Sequence, residues 1–467
     1  MSSSNGTHRL PQVVLLTSSG AGHLTPLLRV AALLLHHNCQ ITLITCHPIL
    51  TLAESQLISK FLSAFPQVKE KQLHLLPHDP NNVNSNIDDP FLLQWETARR
   101  SVRHLLLPLL LSLSPFPSAL VSDVTLFPSV IEITENLNLP VYVQFPSCAR
   151  MFCLFAYFSA YMTSSSTRSN DNNDVIEIPG VWPMAKSTVP PLLLEPKSIF
   201  YSIFMEDSKK IPKLSGIFIP TLETLESESL TALNSGKVVD GVPPIYPIVL
   251  MPCDFEKHLQ EENKIMKWLD NQSPRSVVYM NFGSKAAMSR KQIKEIGNGL
   301  ITSAYPFLWV VKDKELDKED TESLNEVLGN DLMEKLERKG LVVKEWVNQG
   351  EILGHEAVGG FVSHCGWNSV LEAIWHGVRL LAWPPKGDQK VNAEAIDRGG
   401  FGLWTRTWGW AAEMVVKGEE LGERIKEMMT SEELKLRAEH IRVEARKAVG
   451  DGGSNEIVIK ELIEKWK

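Results

Sequence analysis

Cysteine is scarce in this sequence. Six occur in 467 residues, Cys39, Cys46, Cys148, Cys153, Cys253 and Cys365, and none is spaced as C-x-x-C. That excludes a disulfide scaffold and fits a reducing compartment, so a cytoplasmic location is expected. A positive excess is lacking as well. The formal net charge is -8, which gives no global support to a nucleic-acid or acidic-membrane partner. No apolar run is long enough to span a bilayer. The longest leucine-rich stretch, "HLLLPLLLSLSPFP", is broken by Pro108 and by serines and is expected to be a buried helix, so no stable membrane insertion is expected. The opening "MSSSNGTHRLPQ" is polar and carries no secretory h-region. No internal repeat is present.

What the sequence does contain is apolar material, 43% of residues, arranged as short β-type runs alternating with helical patterns. Strands are expected at 13–17, 40–45, 119–122, 141–145 and 216–220, and again at 277–282, 307–311, 341–344, 360–363 and 380–383. Alternation of this kind predicts parallel sheets covered by helices, and two sets of it predict two domains. The proline-bearing, then charged stretch "IYPIVLMPCDFEKHLQEE" lies between the two series. The expected division is therefore 1–247, a linker at 248–262, 263–452, and a terminal helix at 453–467. Ser454 is the expected N-cap of that helix, followed by the stripe Ile457, Ile459, Leu462 and Ile463. "SSSTRSNDNNDV" and "KDKELDKEDTES" are expected to be loops; the second reads as either a lid or a solvated surface segment.

The stretch "SSGAGHLTP" joins the first strand to the first helix. Its Gly20-x-Gly22 falls one residue short of a dinucleotide fingerprint. Such a fingerprint also needs an acidic residue about 20 positions on, and "QITLITCHP" offers none. A nicotinamide cofactor is therefore disfavoured. The glycines, Gly22 above all, are read as clearance around His23, whose imidazole can take a proton near neutral pH.

The most informative block is "WVNQGEILGHEAVGGFVSHCGWNSVLEAIWHGVRLLAWPPKGDQ", from Trp346 to Gln389. A strand, "GGFVSH", feeds the turn "HCGWNS", and a helix bearing Glu372 follows. Gly366 is expected to relax the turn, with Asn368 and Ser369 capping the helix. Ligands of open α/β sheets bind at the carboxyl ends of strands, and a helix N-terminus there favours a phosphate. A phosphate-bearing ligand at His364–Ser369 follows; the plain alternative is an ordinary strand–turn–helix with a packed tryptophan.

This block resembles the nucleotide-sugar signature of plant family 1 UDP-dependent glycosyltransferases: W-x-x-Q, then F-x-S-H-C-G-W-N-S-x-x-E, then W-P and D-Q. "GHLTPLLRVAALL", "VVYMNFGS" and "GGSNEI" extend the likeness over most of the chain. "DDPFLLQWETARRS" and "WGWAAEMVVKGEELGERIKEMM" are similar to the branch that attaches glucose to carbon of flavonoid precursors. The resemblance implies an α/β fold of two facing Rossmann-like domains, the GT-B type, with the acceptor mainly on the first domain and the UDP-sugar mainly on the second. It implies that Trp346 stacks on uracil beside Val347, that Gln349 contacts the nucleoside, and that Glu372 accepts from the ribose hydroxyls. His364, Asn368, Ser369 and Ser284 would hold the diphosphate, and Trp367, Asp388 and Gln389 would touch the sugar. Three departures from the pattern stand out: Asn348 where proline is common, Arg379 in place of the proline of G-V-P, and Pro385-Lys386.

By the same resemblance His23 is the general base and Asp123, in "ALVSDVT", orients it and stabilises its imidazolium. The acceptor pocket would be apolar with a few polar groups. Its candidates are Gly22, Phe91, Trp95, Phe145, Arg150, Phe152, Trp383 and Lys386, of which the large side chains are equally suited to the core. No Asp-x-Asp occurs in the chain, so no metal requirement is expected and UDP-glucose serves as co-substrate without a further cofactor. The expected partners are a UDP-sugar and a small phenolic acceptor, with the protein a monomer. The expected reaction is inverting transfer of glucose to a carbon of a phloretin-like or 2-hydroxyflavanone acceptor. Phenol O-glucosylation is the alternative, and an inactive UDP-sugar-binding protein is a remote one.

Overall fold

The computed structural model describes residues 10–49, 51–77, 90–167, 174–256, 264–283, 288–312, 322–410 and 414–467. Short runs such as "QVVLL", "ALVSD" and "VGGFVS" are buried at every position. Burial on both faces is what strands show when helices cover both sides of a parallel sheet.

In chain order the strands are β1 (Gln12–Leu16), β2 (Gln40–His47), β3 (Lys69–His74), β4 (Ala119–Asp123), β5 (Val141–Gln144), β6 (Val175–Ile176), β7 (Met184–Ala185), β8 (Gly216–Pro220) and β9 (Ile245–Ile248). After the segment joining the domains come β10 (Val277–Asn281), β11 (Phe307–Val310), β12 (Gly340–Val343), β13 (Val358–Ser363), β14 (Arg379–Ala382) and β15 (Gly402–Trp404). The first sheet runs β3-β2-β1-β4-β5-β8-β9 and the second β12-β11-β10-β13-β14-β15, while β6 and β7 form a small antiparallel pair. Every pairing within the two large sheets is parallel. In each sheet the chain winds outward, then returns to the other side of the starting strand. The reversals fall between β1 and β4 and between β10 and β13. These are the points where an open α/β sheet leaves a crevice for a ligand.

Each strand read from the sequence is present, but β3, β9, β15 and the short pair β6 and β7 were not foreseen. β3, "KEKQLH", is a mostly exposed edge strand with little apolar signal. β9, "IYPI", lies inside the stretch expected to lead into the linker. Its Pro247 is tolerated because β9 is an edge strand, where a missing N–H costs little. The boundary expected at residue 247 therefore cuts a strand. The leucine-rich stretch forms the end of a helix, Pro90–Leu111, with Pro108 inside it. The expected loop at 164–175 is shortened by the helix Ala149–Thr167, and its centre lies outside the described residues. Most of the expected charged loop, residues 313–321, also lies outside them.

The N-cap of the terminal helix, Ser454–Trp466, lies one residue earlier than expected: it is Gly453, and Ser454 is already helical. The Asn455 side chain clamps the backbone just after β9, accepting from the Val249 N–H at 2.9 Å and donating to its carbonyl at 2.8 Å. Ile459, Leu462 and Trp466 are buried in the first domain's core beside Val13, Leu15 and Leu27. Each such side chain contributes roughly 1.5–3 kcal/mol of burial, so the second domain's end is anchored to the first. A separate apolar cluster lies on one face of the second sheet, and a larger one is continuous from the first domain into the second. Among the described residues no helix is long and apolar enough to cross a membrane.

Candidate active site

β1 ends at Leu16, and the chain turns through Ser18–Gly20 into the helix Ala21–His36. Gly20 takes φ 100°, a left-handed backbone that glycine adopts without strain, and its N–H donates to Glu54 Oε1 at 2.6 Å. A Cβ built on Gly22 would meet nothing within 4 Å, so this edge of the turn borders open space. His23 lies in the first helical turn. Its Nδ1 is 3.0 Å from Oδ2 of Asp123, the last residue of the neighbouring strand β4. Asp123 also accepts from Ser18 Oγ at 2.8 Å and from the N–H and hydroxyl of Thr125 at 2.9 and 2.6 Å. Burial alone would push the Asp123 carboxyl up. The His23 imidazole and the Thr125 hydrogen bonds outweigh burial and hold it below the ordinary carboxylate value. A carboxylate has no proton to give, so Nδ1 is the protonated ring nitrogen and the basic lone pair of His23 sits on Nε2. The geometry matches that of a base with an orienting carboxylate.

Across the cleft, β13 feeds the turn His364–Gly366 and the helix Trp367–His376. The turn is built differently from the expectation. Cys365, not Gly366, takes the left-handed conformation, with φ 65°, and Gly366 has an ordinary φ of -59°. Gly366 is needed for space: a Cβ there would lie 2.5 Å from His364 Nε2, and one on Gly283 would lie 2.8 Å from the same atom. Nor do Asn368 and Ser369 cap the helix. Gly366 is the N-cap, and among the described residues no side-chain cap hydrogen bond is made there. The first N–H groups of the helix and its dipole make a site for an anion. Burial pushes His364 down to about 4, so its imidazole is neutral at pH 7.

Trp346 is 62% exposed, with the Lys60 ammonium of the first domain 5.8 Å from its ring, whereas Val347 beside it is buried. Asn348 accepts from the Glu351 N–H and so caps the short helix Gln349–Gly354, a role that a proline could not fill. Gln349 Nε2 donates to Ser369 Oγ at 2.9 Å and to Glu372 Oε2 at 2.8 Å. Its Oε1 accepts from Asn281 at the end of β10. Ser284 lies outside the described residues. Among the described residues no group of three or more His, Cys, Asp or Glu side chains is placed to hold a metal ion.

Several expected site residues also make contacts between the domains or within the core. Asn368 Nδ2 donates to the Gly22 carbonyl at 3.2 Å. The Ser147 hydroxyl donates to Asp388, which also accepts from Asn392 at 3.0 Å. Trp367, expected on the sugar, is buried, and its indole N–H donates to the Pro220 carbonyl. Arg150, expected in the acceptor pocket, is buried and donates to Glu394 at 3.1 Å and to the Pro183 carbonyl at 3.0 Å. Phe152 is likewise core, edge-on to Phe145 at 5.0 Å. Trp383 packs between Phe282 and Trp408 in the second domain's core. These corrections share one cause: a residue next to a functional motif can turn its side chain into the core behind it.

Trp95 is half-buried and donates its indole N–H to the Thr125 carbonyl, two residues from Asp123, so it does lie close to the base. Phe91 belongs to the same helix, but its side chain is outside the description. Lys386 is exposed, and its backbone N–H donates to Gln389 Oε1. Arg379 starts β14, the end of the strand away from the cleft, where it is buried and donates to the carbonyls of Gly359 and Met429. That departure from the pattern therefore does not touch the site.

The sequence reading missed Arg29, Ser147 and Asn281. Arg29 could have been noticed as a lone charge inside "LLRVAALLL", an apolar helix that has no packing need for it.

Comparison with known proteins agrees with this architecture. Residues 239–418 match the family of UDP-glucoronosyl and UDP-glucosyl transferases. UDP-glycosyltransferase 708G2 of Citrus unshiu is 52% identical over 100% of this chain and 99% of its own length. UDP-glycosyltransferase CGT of Oryza sativa subsp. japonica is 40% identical over 99% of this chain and 97% of its own. Among solved structures, LpCGTa in complex with UDP superimposes with a TM-score of 0.87 at 39% identity, covering 98% of this chain and 100% of that one. The fold is thus GT-B. With relatives matching along the whole length, the chain belongs to the UDP-glycosyltransferases.

Proposed function

We propose that this glycosyltransferase moves glucose from UDP-glucose to a ring carbon of a polyphenol, of phloretin or 2-hydroxyflavanone type, with inversion to a β-C-glucoside. The observation that carries the proposal is the His23–Asp123 pair set beside Gly22, whose carbonyl is bonded to Asn368 at the start of the donor helix. In this reading the base and the start of the donor helix lie next to each other across the domain interface. The lean to carbon is supported by the branch-like segments at residues 88–101 and 408–429 and by the relatives named above.

In this reading uracil stacks on Trp346, with Val347 and Gln349 beside the nucleoside and Glu372 under the ribose diol. The diphosphate lies on the first N–H groups after Gly366 and near His364, Asn368, Ser369 and Ser284, and Asp388 and Gln389 meet the sugar. The phenol hydroxyl, with a pKa of about 10, gives its proton to His23 Nε2. The negative charge spreads to the ortho and para carbons. One of these attacks the anomeric carbon as the C–O bond to UDP breaks, giving a dienone; its ring C–H proton then passes to water as the carbonyl oxygen takes back the proton held by His23, which restores the aromatic phenol and the neutral imidazole. Asp123 stabilises the imidazolium throughout. Charge on the departing UDP is met by the helix N-terminus and neutral donors, so the reaction needs no metal. Presentation of the ring decides carbon over oxygen, because the same base serves both. The working unit is a monomer.

The test is UDP-glucose plus phloretin, with products analysed by mass-spectrometric fragmentation and hot-acid treatment. A hexose adduct that survives acid is expected. An acid-labile adduct overturns carbon in favour of oxygen linkage, and UDP binding without turnover on a panel of phenols overturns the enzymatic reading.

A further inference from the structure

We propose that Arg29 is the positioning residue for recognition of the donor ribose: its guanidinium fixes the Glu372 carboxylate so that one lone pair on each oxygen faces the vicinal hydroxyls. The inference rests on the reading of Glu372 as the ribose ligand.

Arg29 lies on the helix Ala21–His36 of the first domain, with its side chain 1% exposed. Its Nε and Nη2 fork onto Glu256, in the segment joining the domains, at 2.8 and 2.7 Å. Nη2 also donates to Glu372 Oε1, in the second domain, at 2.7 Å. Burying a guanidinium costs several kcal/mol unless it is well paired, and a leucine would fill the same helical position at less cost. A charge kept there calls for a use, and its partner supplies one.

A carboxylate offers about four lone-pair directions, two on each oxygen. Arg29 occupies one on Oε1 and Gln349 one on Oε2. What remains is one acceptor site per oxygen, the number and spacing that a cis-diol requires. Without the guanidinium the carboxylate would be held from one side by Gln349 and left as a buried charge lacking its counter-charge. Arg29 and Glu372 belong to different domains, so the ribose subsite is complete only when the cleft is assembled. Donor binding thereby requires the acceptor domain to be in place.

The test measures Kd by calorimetry for UDP and for 2′,3′-dideoxy-UDP, on the full chain and on Arg29→Met, Arg29→Lys and Glu372→Ala. Hydrogen bonds to a charged group imply that the unaltered protein prefers UDP by about tenfold or more. Glu372→Ala should abolish that preference. Arg29→Met should lose UDP affinity by a similar factor while its affinity for the dideoxy compound changes less than about twofold. Arg29→Lys should fall between, because one ammonium cannot reproduce the fork. In turnover, KM for UDP-glucose should rise with kcat nearly constant. An unchanged preference in both Arg29 variants, or an equal loss for both nucleotides, overturns the role of Arg29 and leaves Glu372 as ligand. If Arg29→Met does not fold, Arg29→Lys decides by the same ratio. A preference that persists in Glu372→Ala overturns the ribose reading itself, and this inference with it.

Discussion

Asn368 Nδ2 lies 3.2 Å from the carbonyl oxygen of Gly22, so the start of the donor helix closes directly over the turn that carries His23. The two switch-point crevices, one per sheet, thereby form a single cleft. Residues that would serve the donor also hold the domains together: Asn368 on Gly22, Asp388 on Ser147, Glu372 on Arg29.

Replacing His23 by alanine removes the proton acceptor but no atom of the donor helix. Turnover should fall by about 10²–10⁴-fold, with the Kd for UDP unchanged. Asp123→Asn should also lower kcat, since an amide can donate to Nδ1 and favour the wrong tautomer. Steady-state kinetics beside calorimetry decide the matter; near-full activity in His23→Ala contradicts the base assignment.

Trp346 is more than half exposed, so its loss should leave folding stability within about 0.5 kcal/mol. Loss of stacking on a base should weaken UDP by about 1–3 kcal/mol, read as Kd. Unchanged affinity in Trp346→Ala would remove the stacking role.

Arg150 and Glu394 form a buried pair across the domain interface, with side chains 5% and 7% exposed. Arg150→Met should destabilise the protein, by up to about 3–5 kcal/mol, because it removes the hydrogen-bonded counter-charge of the buried Glu394 carboxylate and leaves it the more distant Arg406 at 3.8 Å. The double variant with Glu394→Leu should recover much of that loss. Urea denaturation measures both. A mild effect of Arg150→Met on stability, with a large one on acceptor KM, would restore the pocket role.

Acid should act in two windows. His364 is held near 4, while an unfolded imidazole titrates at about 6.5. As pH falls between these values the unfolded chain binds a proton that the native state refuses, and stability declines. Asp123 is the opposite case. Its folded value is depressed, so its stabilisation is present above the unfolded value of about 3.9 and disappears as pH falls through the folded one. His376 is also held near 4 by burial, so His364→Gln should reduce the slope of the first window and the double variant with His376→Gln should reduce it further, while Asp123→Asn should reduce the second, as followed by urea midpoints from about pH 7.5 downward. An unaltered slope in His364→Gln would show that another group governs the first window.

Much of this was legible in the residues. The apolar runs of β1, β4, β10 and β13 report burial on both faces, and the glycines that follow β1, β10 and β13 mark turns at strand ends. These are short-range signals, set by a few consecutive residues. β3 and β9 were missed because edge strands carry weak apolar patterns and tolerate proline.

The chain's own order determined an α/β architecture of two domains, a histidine on the first turn and an anion site on the helix after β13. Tertiary structure alone decided which neighbours of those motifs face the cleft. Arg150, Phe152 and Trp367 adjoin functional segments yet turn inward, whereas Arg29, in the middle of a leucine-rich helix, reaches Glu372 in the other domain. The physical reason is distance along the chain. Local pattern fixes secondary structure and turn chemistry, but a helix buried on all sides gives no sign of which face meets which partner. Only the packing of one domain against the other settles that.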